Sequence, residues 1–252
     1  MEAFVQSTID RQVGIIEFYH PQSNSLPGQQ LRELTAAIEA FGKTPEVRVI
    51  LLKSAGNRAF CAGASFDELI SIKDRETGRA FFSGFASVIN AIRKAPKFVI
   101  VRVQGKAVGG GVGLAAAGDY TIGTAHAAIK LSELAIGIGP FVVGPAVIRK
   151  IGVSAFSQLS IHATEFQGAE WAREKGLYAS VHESTDDMDA AIEALTQQLV
   201  LSSPDAMKAL KKAAWVGTED WDELLAARAE ISGELVLSSF TREAINRFKS
   251  GS

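Results

Sequence analysis

Polar and apolar positions alternate on both sides of "DRQVG" between Phe4 and Tyr19, which predicts a β-hairpin. The period then changes. Leu31, Leu34, Ile38 and Phe41 recur at helical spacing behind Pro27, a residue suited to a first helical turn. Val47–Leu52 is a short unbroken apolar run, expected as a strand buried on both faces. Phe81, Phe85, Val88, Ile89 and Ile92 mark a helix over 75–93, and "KFVIVRV" (97–103) marks the next strand. That strand runs directly into "VGGGVGLAAAGDY". "YTIGT" and "AAIKL" read as two short extended pieces, and apolar helices are expected near 141–161 and 167–176. Beyond "YASVHES" the chain reads as helix after helix, with Ser203, Pro204 and Asp205 as one start signal.

Strands alternating with helices, followed by helices alone, predict an α/β core with a helical appendage. We place the core at 1–195 and the helical segment at 196–252. The apolar faces of that segment (Trp215, Trp221, Leu224, Leu225, Ile231, Leu235) must be covered by its own core or by another subunit. No sequence repeat and no low-complexity linker interrupts the pattern.

Composition narrows the function classes. The chain is 47% hydrophobic and 21% charged, and its 26 basic against 28 acidic residues leave a formal net charge of −2. That balance gives no electrostatic case for nucleic acid or an anionic membrane surface as partner. Arg93, Lys94 and Lys97 are the nearest thing to a basic patch and are expected as a solvated face. No uncharged apolar run is long enough to span a bilayer. The opening MEAFVQSTID lacks a basic region followed by an apolar stretch, so a cytoplasmic location is expected. The single cysteine, Cys61, forms no intrachain disulfide and is expected as a small buried hydrophobe. His20, His126, His162 and His182 lack ligand spacing, so no metal site is expected.

Three glycines at the head of a helical run need a reason, because each costs about 1 kcal/mol relative to alanine inside a helix. Glycine lets backbone approach a ligand closely, and the first amides of a helix have no internal acceptor. Such amides can hold a developing oxyanion. A tight loop or close helix–sheet packing is the plainer alternative. A second strand end supplies context: "SAGNRAFCAGASFDEL" follows the Val47–Leu52 strand as another small-residue loop before a helix. Two such loops can place two backbone N–H groups around one carbonyl oxygen. Ser65 and Ser132 have no sequence-adjacent histidine, so a hydrolase triad has no support.

Together "AFCAGASF", "KAVGGGVGLAAAGDYTI" and "IKLSELAIGIGP" resemble the crotonase, or enoyl-CoA hydratase/isomerase, superfamily, in order and spacing over nearly the whole chain. The resemblance implies an α/β spiral core of ββα repeats (the ClpP/crotonase fold), with a helical C-terminal segment that assembles trimers or pairs of trimers. It implies a thioester oxygen held between the amides of Ala64 and Gly110. It also implies an acyl-CoA substrate bound along Ala62, Ala64, Phe66, Gly109 and Gly110, with Phe141 near the acyl pocket, and no permanently bound cofactor.

The sequence departs from the family's hydratases at one place. They carry two glutamates, and the first falls at Gly113 here; the second is Glu133 in "LSELAIG". A lone carboxylate matches the superfamily's Δ3,Δ2-enoyl-CoA isomerases, in which one acid moves a proton between C2 and C4. The apolar "LAIGIGPFVVGPAVI" around Glu133 would raise its pKa toward neutrality. Hydration by Glu133 alone, or a non-catalytic acyl-CoA-binding role, are the alternatives. Asp67, in the first loop, is a second candidate acid if it points into the pocket, but it is expected in the first turn of the helix after "CAGAS", where a negative charge is favoured. Ser65 replaces an aspartate common in relatives, and Phe141 replaces the nucleophile that the superfamily's aromatic dehalogenases need.

Overall fold

Arg11 and Gln12 adopt left-handed backbone (φ 44° and 67°) and fold β1 (Phe4–Asp10) back onto β2 (Val13–Tyr19), the expected hairpin. The computed structural model describes residues 2–250. From β2 the sheet continues in parallel through β3 (Val49–Ser54), β4 (Val99–Val103), β6 (Tyr120–Thr124) and β8 (Ser180–His182), in the order β1-β2-β3-β4-β6-β8. Every residue of β4 and all but Lys53 of β3 are buried, as their unbroken apolar runs require.

Parallel neighbours need crossovers, and each crossover here follows the same path. After β2 the chain passes Leu26 into α1 (Gly28–Lys43). After β3 it passes Cys61 and Ala64 into α2 (Phe66–Ser71) and α3 (Arg75–Lys94). After β4 come β5 (Ala107–Val108) and α4 (Gly110–Ala117). After β6 come β7 (Ile129–Lys130), a 3-10 turn over Glu133–Ile136, and α5 (Gly144–Ile161). The short pieces form a second ladder: Leu26 pairs with Ala64, Cys61 with Ala107, and Ala107 with Ile129. This is a spiral of ββα turns, and its second ladder brings the loops after β3 and β4 side by side.

The helices α6 (Ala169–Glu174), α7 (Thr185–Val200), α8 (Pro204–Ala214), α9 (Trp221–Leu235) and α10 (Ser239–Ser250) complete the chain. Residue 195 lies inside α7, which packs on β3, β6 and β8, so the helical run starts with the sheet rather than after it. Ser203 caps α8 by accepting the Ala206 N–H, with Pro204 at the first helical position as expected. Four elements go beyond the sequence expectation: the two-residue β5, the 3-10 turn, β8, a three-residue edge strand paired to β6, and α10, whose start Ser238 caps by accepting the Thr241 N–H at 3.2 Å.

The helical tail folds over its own core: Trp215, Trp221, Leu225 and Ala229 are buried within the main hydrophobic cluster. α9 lies on α3 so closely that a methyl group on Gly78 would sit 2.8 Å from the Gly233 carbonyl oxygen. Of Arg93, Lys94 and Lys97 only Lys94 is exposed as expected; the other two are partly buried. Arg93 reaches the Thr218 carbonyl and Asp222 with its side chain buried, Lys94 pairs with Asp222, and Lys97 donates to the Phe41 carbonyl.

Lys211 ties α8 to the sheet. Its buried ammonium meets Asp119 Oδ2 at 2.7 Å and donates to the carbonyls of Ile92 and Lys97, while Trp215 Nε1 donates to Asp119 Oδ1. Burial pushes the Lys211 pKa below its ordinary value, and Asp119 opposes that shift. Lys211→Ala removes the cation in contact with Asp119 and leaves two carbonyls unpaired, so a loss of about 3–5 kcal/mol is expected in a denaturant titration.

Candidate active site

Gly109 turns the chain from β5 into α4 at φ 53°, ψ −114°, a backbone conformation that glycine alone adopts without strain. Its N–H donates to the Lys130 carbonyl at 2.9 Å, and its own carbonyl accepts from Val112 and Gly113. α4 is apolar on every side and almost wholly buried, the pattern of a helix inside a core. Gly110 is its first residue. No group among the described residues accepts its N–H.

The loop after β3 arrives alongside. Val108 N–H donates to the Cys61 carbonyl at 2.9 Å, and Leu26 bridges Gly63 and Ser65, taking the carbonyl of one and the N–H of the other. That parallel pairing leaves the N–H of the intervening Ala64 facing away from Leu26, and it too has no acceptor among the described residues. A Cβ placed on Gly63 would lie 3.6 Å from the Gly110 nitrogen, so the two loops are in van der Waals contact.

Glu133 reaches the same place from the other direction. Ser132 precedes the 3-10 turn that Glu133 opens, and Gly137 closes that turn at φ 82°. A Cβ placed on Gly109 would lie 3.1 Å from Glu133 Oε1 and 3.4 Å from its Cδ, so the carboxyl group rests on the glycine that precedes α4. Glu133 as a residue keeps part of its surface, but Oε2 is buried and has no hydrogen-bond partner. Burial disfavours the charged form and pushes the pKa up to about 7. A carboxyl group poised there can both take and return a proton at neutral pH.

The position of the missing second acid is occupied. A methyl group on Gly113 would overlap Val143 Cγ1 and lie 2.8 Å from Val143 Cβ, with Ile89 Cδ1 at 3.7 Å. Apolar side chains from α3 and the start of α5 therefore fill the space where a side chain at 113 would go. Gly113→Ala is expected to lower stability by roughly 1–3 kcal/mol through overpacking, and Val143→Ala in the same chain should recover part of it in a thermal melt.

The remaining candidates take distinct places. Ala62 donates to the Ser23 carbonyl at 3.2 Å, which fixes the loop's outer limb. Phe66 opens α2 and packs in a satellite cluster with Ile138, just beyond the Glu133 turn. Phe141 is further along that segment, its ring against Gly139. Ser65 caps α2 by accepting the Glu68 N–H, and Asp67 lies in the first turn as expected. Cys61 is buried and its thiol is pushed up to about 12, so it is inert packing. Among the described residues no cluster of His, Cys, Asp and Glu has the arrangement of a metal site. Sequence reasoning missed two neighbours of the site, Phe85 and Val143; their helical spacing marked them as apolar but not as facing Gly110 and Gly113.

A family model described as enoyl-CoA hydratase/isomerase matches residues 8–249. The chain belongs to this family. Its relatives include the mitochondrial methylglutaconyl-CoA hydratase of Mus musculus, 33% identical over 78% of this chain and 63% of that protein. Carnitinyl-CoA dehydratase of Escherichia coli K12 is 31% identical over 76% of this chain and 72% of that protein. The chain thus spans less than two thirds of the length of the mouse relative. A crystal structure of an enoyl-CoA hydratase from Bacillus halodurans superposes with a TM-score of 0.88 at 20% identity, covering 96% of this chain and 98% of that one. Family and fold agree with the α/β spiral, and the family acts on CoA thioesters.

Proposed function

We propose that this protein moves the double bond of an enoyl-CoA thioester from the 3 to the 2 position, with Glu133 as the one side chain that exchanges protons with substrate. The observation that carries this reading is a pair of neighbouring facts: a Glu133 carboxyl group whose buried Oε2 has no hydrogen-bond partner, and a Gly113 site filled by Val143. One acid is available, and methyl groups occupy the place of a second.

The reaction needs little else. The thioester oxygen accepts from the free N–H groups of Ala64 and Gly110, at the start of α4, where the helix dipole also favours negative charge. Ionised Glu133 removes a proton from C2, and the electron pair moves onto the oxygen as a dienolate. The charge then returns through C2 and C3 to C4, which takes the proton back from Glu133. No atom is gained or lost. The site favours the protonated acid, so its intermediate form is stabilised by the same burial that raises its pKa. In this reading the backbone of Ala62–Phe66 and Gly109 flanks the CoA portion, Phe141 lies near the acyl group, and no further cofactor takes part.

The names of the relatives favour hydration as the second reading. Parallel assays on 3-enoyl-CoA and 2-enoyl-CoA separate the two: isomerisation outpacing hydration supports our proposal, and the reverse order overturns it. The helical segment 196–252 is proposed as the assembly segment of a homotrimer or a pair of trimers, and exposed Leu201, Leu210 and Val216 provide apolar surface there. A cytoplasmic location belongs to the same proposal; no helix among the described residues is long and apolar enough to cross a membrane.

A further inference from the structure

The turn that carries Glu133 is held on its far side by the last helix of the chain. Gly137, the left-handed residue that closes the turn, touches the first turn of α10: a methyl group there would lie 2.5 Å from Phe240 Cδ1 and 2.8 Å from Thr241 Oγ1. Thr241 is wholly buried and donates to the Leu235 carbonyl at 3.0 Å, which locks the start of α10 against the end of α9. The residue after Gly137, Ile138, is buried in a small cluster with Leu69 of α2, Val236 after α9 and Ile245 of α10; Phe66 and Phe82 pack against it. This cluster is separate from the main core. The Ala64 loop leads into it through α2, and the Glu133 turn leads into it through Ile138.

Glu133 therefore sits between two supports. Its carboxyl group rests on Gly109, and the backbone of its turn rests on Phe240 and Thr241. The side chain has no hydrogen bond of its own at Oε2 to fix it, so its direction depends on where the turn is held. We propose that Phe240 and Thr241 are positioning residues for Glu133, and that α10 sets the alignment of the base with the substrate without touching the reacting atoms. This rests on the reading of Glu133 as the base.

Phe240 is the informative site because its side chain is 57% exposed, so truncating it removes the contact with Gly137 at little cost to the fold. In Phe240→Ala, kcat for 3-enoyl-CoA should fall about tenfold or more while KM stays within about twofold, since displacement of a catalytic group by about 1 Å can cost up to about a hundredfold. Phe240→Leu, which restores an apolar contact, should recover most of the rate. Asn246→Ala, on an exposed position of the same helix, should behave as wild type. Glu133→Gln is measured alongside. An inactive Glu133→Gln with an unaltered kcat in Phe240→Ala overturns the positioning role alone. An active Glu133→Gln overturns the base assignment itself. A fall in kcat that Phe240→Leu does not recover, or one shared by Asn246→Ala, also counts against the positioning role.

Discussion

Glu133→Gln should reduce turnover of 3-enoyl-CoA by roughly 10²–10⁴-fold, the range that a positioned acid–base group contributes, while thioester binding is retained. The amide keeps the size and the neutral form of the carboxyl group but cannot take a proton. In the wild type, kcat/KM should rise with pH through an acid limb near 7, where burial places the titration of Glu133 in the free enzyme. The same substitution should stabilise the fold, and the sign follows from linkage. The folded-state pKa is raised from 4.5 to about 7, so the stabilising effect of the neutral acid is complete below pH 4.5 and is lost as pH rises through 7. Above that, holding a buried charge costs the wild type on the order of 3 kcal/mol, at about 1.4 kcal/mol per pKa unit. Glu133→Gln should therefore melt several degrees higher than wild type at pH 8 and at the same temperature at pH 4. A gain in stability with a loss of rate at one position is the signature of a site strained for chemistry.

The second large effect is expected at Gly110. A methyl group there would overlap the Cζ and Cε1 atoms of the Phe85 ring and lie 2.6 Å from Cε2, and Phe85 is itself buried. Gly110→Ala must therefore push either the ring or the start of α4 aside. Displacing one donor of an oxyanion site typically costs roughly 10²–10³ in kcat. The loss should appear in kcat rather than in KM, because the donor matters most once charge develops on the thioester oxygen. Phe85→Leu combined with Gly110→Ala gives the methyl room, and should return part of the lost rate. Recovery would place the damage in the clash rather than in the missing glycine.

The parts of this molecule that were legible in its sequence are those that local pattern decides. The period-2 hairpin, the doubly buried β3 and β4, and the Ser203–Pro204 helix start all depend on residues within a few positions of each other. The glycines after β4 were legible as a demand for close approach, and the family resemblance named what approaches. What stayed hidden was pairing. The second ladder consists of contacts such as Leu26 with Ala64 and Cys61 with Ala107, too short to leave a periodic trace. β8 contains one aliphatic residue, Val181, and is a strand because β6 offers it an edge. The filling of the Gly113 site by Val143 joins positions thirty residues apart, and the seating of Gly137 on Phe240 joins positions a hundred apart. Neither can be read from composition or spacing, yet the first bears on which reaction the site favours. Glu133 shows the same division: its apolar surroundings foretold the raised pKa, but only the fold shows the carboxyl group seated on Gly109.

The most direct test follows a labelled hydrogen. 3-Enoyl-CoA carrying deuterium at C2 is turned over in ordinary water, and the product is analysed by mass spectrometry and NMR. A single sheltered acid that lifts a hydrogen from C2 and sets it down on C4 should deliver a measurable share of the deuterium to C4 of 2-enoyl-CoA. A product with no label at C4, or one that is chiefly the 3-hydroxyacyl thioester, would show that Glu133 does not work alone in this way.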